Sequence, residues 1–195
     1  MKHFTLNGTS RQVGNKATIK AFRAQGLVPC NLYGHGVDNV LFTVNAKELK
    51  SLTDTPYSYI VDLVLDGKTN YTAILHELQF HPVKDNCLHV DFLAVDAAKP
   101  VAIQVPIKFE GHAVGVQKGG KFVQNARSLR ISAAMEDLPD DITININGLD
   151  LDKKIKAGDV KLDKVSVLTD KDAVLCFVKT TRNVDTSAAA AETEA

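Results

Sequence analysis

Most of this chain alternates apolar and polar residues with a period of two, the spacing that sends successive side chains to opposite faces of a β-sheet. A helical bundle is thereby excluded, and a mainly β fold is expected. In YSYIVDLVLDGKTNYTAIL the alternation reaches Asp66-Gly67, a pair that favours a hairpin turn, and resumes through Tyr71, Ala73 and Leu75. In NCLHVDFLAV, Leu88, Val90 and Phe92 alternate with His89 and Asp91, which predicts one apolar and one polar face.

Two short helices interrupt the first half. One is predicted over Lys16 to Gln25, stopped by Gly26, with Ile19, Phe22 and Ala21 as its buried stripe. The other is predicted over Ala46 to Thr53, capped by Asn45, with Glu48 three positions on completing a capping box. Neither is long enough to organise a helical fold; both are expected to close or decorate a small barrel. Around Asp96 to Pro100 the alternation breaks at a proline, and a second all-β region opens with VAIQVPIKFEG, in which Val101, Ile103, Val105, Ile107 and Phe109 face one way. Pro106 inside that run predicts an edge strand or an irregularity, because proline cannot donate to a ladder. Strands continue through KFVQNARSLRISA, DITININGL and AVLCFVKT. The expected domains are therefore 1–95 and 96–182, followed by 183–195 as a disordered tail with no residue able to anchor a core.

Charge is informative in its distribution, not its sum. With 23 basic and 23 acidic residues the net charge is zero. From Met1 through Val37, however, Lys2, Arg11, Lys16, Lys20 and Arg23 meet no carboxylate, a one-sided patch of the kind that attracts polyanions. The three cysteines, Cys30, Cys87 and Cys176, are scattered and odd in number, which argues against a disulfide framework and for a reducing cytoplasm. No apolar run resembles a signal peptide or approaches the roughly 18 residues of a membrane helix, so a cytoplasmic protein without membrane contact is expected.

Enzymatic motifs fail on inspection. GVQKGGK, Gly115 to Lys121, satisfies the first part of a phosphate-binding loop, but Phe122 stands where Ser or Thr would hold magnesium, and the following residues alternate like a strand. His76, His81 and His89, with Asp91 nearby, lack metal-ligand spacing. No nucleophile elbow or carboxylate pair is evident. No catalytic residue, metal, cofactor or small-molecule substrate is expected. Nucleic-acid binding uses both features that stand out. Lys16, Lys20 and Arg23, at spacings of four and three, share one helix face. If the strands of LHELQFHPVKDNCLHVDF pair as a hairpin around Pro82 to Asn86, Gln79, His89 and Asp91 share an exposed sheet face suited to the shallow minor groove of an RNA helix. The bland alternatives are a solvated helix face and a solvated sheet face. A β-sheet module that holds other proteins mainly through its second domain is the competing function.

RQVGNKATIKAFRAQGLVPCNLYGHG, LQFHPVKDNCLHVDF and VPIKFEGHAVGVQKGGKFVQ resemble the three signature stretches of the bacterial 5S rRNA-binding ribosomal protein L twenty-five family, in its long, two-domain form, also called general stress protein Ctc. The resemblance covers residues 4 to about 180, in the family's order and spacing. It implies a six-stranded N-terminal β-barrel with short helices that contacts the loop E region of 5S rRNA, a C-terminal all-β domain, and a place in the central protuberance of the large ribosomal subunit, in support of translation. Other large-subunit components are implied as partners. Carried over by motif, Arg11 and Arg23 contact phosphates or sugars, and Lys20 stands where the family often has arginine. Tyr33 in LYG, Gln79 in LQFHP, and His89 with Asp91 in HVDF match further RNA-facing positions. The cationic cluster is thinner here, since Ala21 falls where many members carry arginine and Phe80 replaces a frequent basic or polar residue.

Overall fold

Residues 1–181, apart from His35, Ala97, Ala98 and Asp163, are described by the structure, a computed structural model. The expected tail at 183–195 lies outside the described residues. Two units divide the chain: one comprises Met1–Ile103 with Ala133–Asp140, the other Gln104–Ser132 with the residues from Asp141 onward.

The N-terminal alternation produces six strands: β1 (His3–Ser10), β2 (Leu27–Gly34), β3 (Val37–Asn45), β4 (Ile60–Leu65), β5 (Thr69–Phe80) and β6 (Cys87–Ala94). They close into a barrel in the order β1-β3-β2-β6-β5-β4, the closed form the resemblance implied, which leaves no edge strand open for pairing with another chain. The β1–β4 and β2–β6 ladders are parallel and the other four antiparallel. Leu6, Cys30, Leu32, Phe42, Leu63, Val90 and Phe92 are fully buried and fill the interior from alternate positions. Gly8 makes room for this packing, because a Cβ there would stand 2.8 Å from both Phe42 and Leu65 side chains.

Local signals set the connections. Asp66 (φ 52°) and Gly67 (φ 67°) form the expected turn, with the Lys68 amide donating to the Leu65 carbonyl at 3.0 Å. Helix α1 (Lys16–Ala24) is capped by Asn15, whose Oδ1 accepts from the Thr18 amide at 3.0 Å, and it stops before Gly26 at φ 77°. Its expected stripe needs correction. Ile19 and Phe22 are only half-buried and Ala21 is exposed, because the helix lies on the outside of the barrel against β2 and is covered on one side only. Helix α2 (Ala46–Thr53) buries Leu49 and Leu52. Its cap, Asn45, accepts from the Lys47 amide at 2.9 Å, one position short of Glu48, so the predicted capping box is replaced by a tighter turn.

The C-terminal strands are β7 (Val101–Glu110), β8 (Lys121–Gln124), β9 (Ser128–Ala133), β10 (Ile142–Asn145), β11 (Lys154–Lys156), β12 (Ser166–Val167) and β13 (Val174–Lys179). They form a four-stranded sheet, β10-β7-β9-β12, and a three-stranded sheet, β11-β13-β8. In β7, Val101, Ile103, Val105 and Ile107 are buried as the alternation predicts. Pro106 does not mark an edge, since β7 has a neighbour on each side; its ladder with β10 begins at Ile107, one residue past the missing N–H. KFVQNARSLRISA is two strands in different sheets, broken where the Asn125 and Ala126 amides both turn to the Leu175 carbonyl.

The glycines of GVQKGGK answer to packing. A Cβ at Gly115 would stand 2.7 Å from the backbone of Asp150 and Leu151, and one at Gly120 would stand 2.6 Å from Leu151 and Val178 side chains. Helix α3 (Val114–Gln117) is a single short turn and the chain then enters β8. Gly115→Ala is therefore expected to destabilise the protein by about 1–3 kcal/mol in a urea titration followed by far-UV circular dichroism, because backbone cannot yield as a side-chain tip can. Magnesium ATP should leave the wild-type midpoint unmoved.

Candidate nucleic-acid interface

Because β2, β6 and β5 are neighbours in the barrel, the residues that point away from its core form one surface. Register sets their order. Asn31 lies opposite Asp91, Asp91 opposite Glu77, His89 opposite Gln79, and Tyr33 opposite Leu93. The β5–β6 hairpin forms as expected, closed by the His81 amide on the Asn86 carbonyl at 2.9 Å and by Asp85 at φ 52°. Gln79, His89 and Asp91 thus share a face. A register irregularity between Leu75 and Glu77 leaves His76 and Glu77 both exposed, so β5 contributes an extra polar group there. The Tyr33 hydroxyl lies 3.2 Å from His76 Nδ1, with the two rings edge to face at 6.1 Å.

Arg23 joins the helix to this sheet. It sits in the last turn of α1, and its Nε and Nη2 donate to the Leu88 carbonyl at 3.2 and 2.9 Å, one residue before His89. Nη1 is left without a partner among the described residues. Arg11, just beyond β1, donates from Nε to the Phe42 carbonyl at 3.3 Å, and its own amide donates to Leu41. Each guanidinium is held in a fixed orientation by a backbone acceptor, which leaves a planar fork partly free for a phosphate. Lys16 and Lys20 are exposed along α1. The structure therefore brings Arg23, Tyr33, Gln79, His89 and Asp91 to one side of the barrel, with Lys16 and Lys20 on the helix that Arg23 ties to it, and anchors Arg11 separately at the end of β1.

Electrostatics and burial separate the remaining groups. His89 Nδ1 stands 3.6 Å from Asp91 Oδ1, too long for a hydrogen bond and short enough for an ion pair when the imidazole is protonated. Desolvation, followed by the Asp91 and Glu77 carboxylates, raises the Tyr33 phenol above its ordinary range, so it stays protonated and able to donate. Burial first, and then Cys87, push the Cys30 thiol far up against the opposing Arg11 charge, which makes it an inert core residue. His81 Nδ1 accepts from the Val83 and Lys84 amides inside the hairpin turn, His76 turns to Tyr33, and His89 to Asp91. The three histidines thus serve three local purposes, and among the described residues no group of three or more His, Cys, Asp and Glu side chains is placed to hold a metal.

Three residues of this face escaped the sequence reading: Asn31, His76 and Glu77. Asn31 is the most telling, because its Oδ1 is buried with no hydrogen-bond partner, a cost that native proteins rarely leave unanswered. The alternation of CNLYG already set Asn31 on the side of Tyr33; only the parallel β2–β6 register shows that Asp91 stands beside it.

The Ribosomal L25p family model matches residues 6–92, the stretch that carries these residues. The large ribosomal subunit protein bL25 of Bacteroides fragilis is 43% identical over 98% of this chain and 99% of its own length. The chain belongs to the ribosomal L25p family. Residues 100–182 match a second model, Ribosomal protein TL5, C-terminal domain. Proteins of the same name from Azobacteroides pseudotrichonymphae and Porphyromonas gingivalis are 41% and 38% identical, each over 93% of this chain, and it covers 96% and 95% of them respectively. Members of the L25p family are ribosomal structural proteins, and as one of them this chain is not an enzyme. No helix among the described residues is long and apolar enough to cross a membrane.

Proposed function

We propose that this L25p-family protein binds 5S rRNA, at its loop E region, through the outer face of β2, β6 and β5 together with α1, and that residues 1–95 are the RNA-binding domain, with 96–182 a second domain. The observation that carries the reading is the double hydrogen bond from Arg23 to Leu88, which fuses a carboxylate-free basic helix to a rigid polar sheet face. Arg11, Lys16, Lys20 and Arg23 supply the phosphate contacts, displacing condensed counterions; these fix position without reading sequence. Tyr33, Gln79, His89 and Asp91 supply donors and acceptors at fixed spacing for base edges and ribose hydroxyls, which A-form RNA displays in its wide minor groove. Asp91 beside a polyanion acts as an acceptor, from a guanine amino group or a ribose hydroxyl, or holds His89 in place. Asn31, with its orphaned oxygen in the same row, belongs to that recognition surface.

Binding of the full chain and of residues 1–95 to 5S rRNA, against an unrelated RNA hairpin, tests this across a salt series. For about four to six phosphate contacts the logarithm of affinity falls with the logarithm of salt at a slope of about three to five, with the fragment matching the full chain. Asp91→Asn, which keeps shape and removes the charge, weakens binding by about tenfold or more, the worth of one charge-assisted hydrogen bond. Equal affinity for both RNAs, or binding that needs the second domain, would overturn the proposal in favour of a protein-holding role.

A further inference from the structure

The three-stranded sheet of the C-terminal unit carries a second surface that the 5S reading does not use. One face of this sheet is core: Cys176, Val178, Ile155 and Phe122 pack together there. On the other face Phe177 lies opposite Lys154 on β11 and opposite Val123 on β8, so the row reads Lys154–Phe177–Val123 across the whole sheet. Two residues along, Lys179 lies directly opposite Lys121. Phe177, Lys154 and Lys179 line an open groove of about 490 Å³, together with Asn125, Val174 and Asp152. Lys121, Lys154 and Lys179 are all exposed, and Phe177 is half-buried with its ring on the groove.

Two like charges directly opposite in an antiparallel ladder sit about 5 Å apart at Cβ and destabilise the pair, and a third on the far strand, diagonal to Lys179, adds to that cost. Nearby carboxylates do not relieve it fully. Asp172 is hydrogen-bonded by Lys156 at 2.7 Å and feels Lys154 only through space, and Asp150 is engaged by Lys118 at 2.9 Å. In the groove Asp152 stands with Lys154 and Lys179, and Lys121 lies beside Lys179 across the ladder. The arrangement is complementary to a chain of negative charge. An aromatic ring flanked by lysines on an open sheet adds a requirement for something flat, and base stacking on a ring beside a cationic track is how sheets hold unpaired nucleotides.

We propose that the outer face of β11, β13 and β8 is a second RNA-binding surface, which takes a single-stranded stretch of RNA by stacking one base on Phe177 while Lys121, Lys154 and Lys179 hold the flanking phosphates. Its three strands belong to the second unit and not to the barrel.

The test uses the full chain with Arg23→Ala and His89→Ala, so that the barrel contributes least, and a labelled oligouridylate of about twelve nucleotides. Adding Lys121→Gln, Lys154→Gln and Lys179→Gln is expected to lower the salt slope by about two, three contacts at roughly 0.7 each for single strands. Phe177→Leu, which stays apolar and fills most of the space, costs about five- to a hundredfold in affinity with the far-UV spectrum unchanged. Oligouridylate bound equally by all three proteins overturns the proposal. Displacement of the RNA by polyglutamate at lower concentration also overturns it and assigns the face to an acidic protein. In the wild-type background the lysine variants retain 5S rRNA binding, so failure of the barrel reading and failure of this one are told apart.

Discussion

The full chain carrying Arg23→Ala and His89→Ala should lose specific affinity for 5S rRNA by about a hundred- to ten-thousandfold, while its affinity for an unrelated hairpin falls far less. Each substitution removes a hydrogen-bonding group that can be charged, and such bonds contribute about 1.5–3 kcal/mol apiece. Arg23 spends two of its nitrogens on the Leu88 carbonyl, so its orientation is set before RNA arrives and little side-chain entropy is lost on binding. Its removal also unties α1 from β6, which lets Lys16 and Lys20 drift from the sheet they are meant to flank. Because Arg23 meets the strand at the residue next to His89, the two substitutions should be non-additive, with a coupling on the order of 0.5–3 kcal/mol in a double-mutant cycle. Arg23→Lys should recover only part of the loss, since an ammonium cannot hold a carbonyl and a phosphate in one plane. A double variant that binds 5S rRNA within about threefold of wild type would show that the contact surface lies elsewhere.

How much of this surface was legible beforehand depends on which residues define it. His89, Asp91 and Gln79 followed from alternation alone, because a hairpin with a short tip fixes which side chains share a face. Asp66-Gly67 fixed the other hairpin through the left-handed backbone that both residues adopt. His76 and Glu77 did not follow, because the irregularity between Leu75 and Glu77 breaks the period of two at that point and no local residue announces it. Asn31 and Asp91 are sixty residues apart in sequence and meet through a parallel ladder, whose register depends on a crossover and not on a turn. Arg23 looked like one of three cations on a helix face; its hold on Leu88 depends on where α1 docks. The glycines of GVQKGGK were legible as something other than a phosphate loop from Phe122 alone, but not the reason for them, which is close packing against Asp150 and Leu151.

Phe92→Ala should destabilise the barrel by about 3–5 kcal/mol, the combined loss of transfer free energy and the cavity left behind. Phe92 is fully buried, its ring centroid is 5.8 Å from that of Phe42, and it lies opposite Leu32 on β2 and Leu75 on β5. Closed barrels collapse poorly around a lost ring, because every wall strand is held by two ladders. Against a typical total of about 5–15 kcal/mol, such a loss leaves a folded state that is marginal at physiological temperature. Phe80, on the neighbouring strand but 47% exposed, is the control, and Phe80→Ala should fall within about 0.5 kcal/mol of wild type. The chain has no tryptophan, so urea titration by far-UV circular dichroism is the suitable measurement. The same variant links stability to function. Phe92 lies between Asp91 and Leu93 on β6, so the strand that fills the core also presents the face proposed to take RNA, and any RNA that binds this face binds only the folded barrel. At a free 5S rRNA concentration of about a hundred times the dissociation constant, mass action restores about 2.7 kcal/mol. The destabilised variant should therefore regain most of its lost stability in the presence of 5S rRNA and none in the presence of an unrelated hairpin; recovery with both would mean that the barrel takes RNA without regard to its identity.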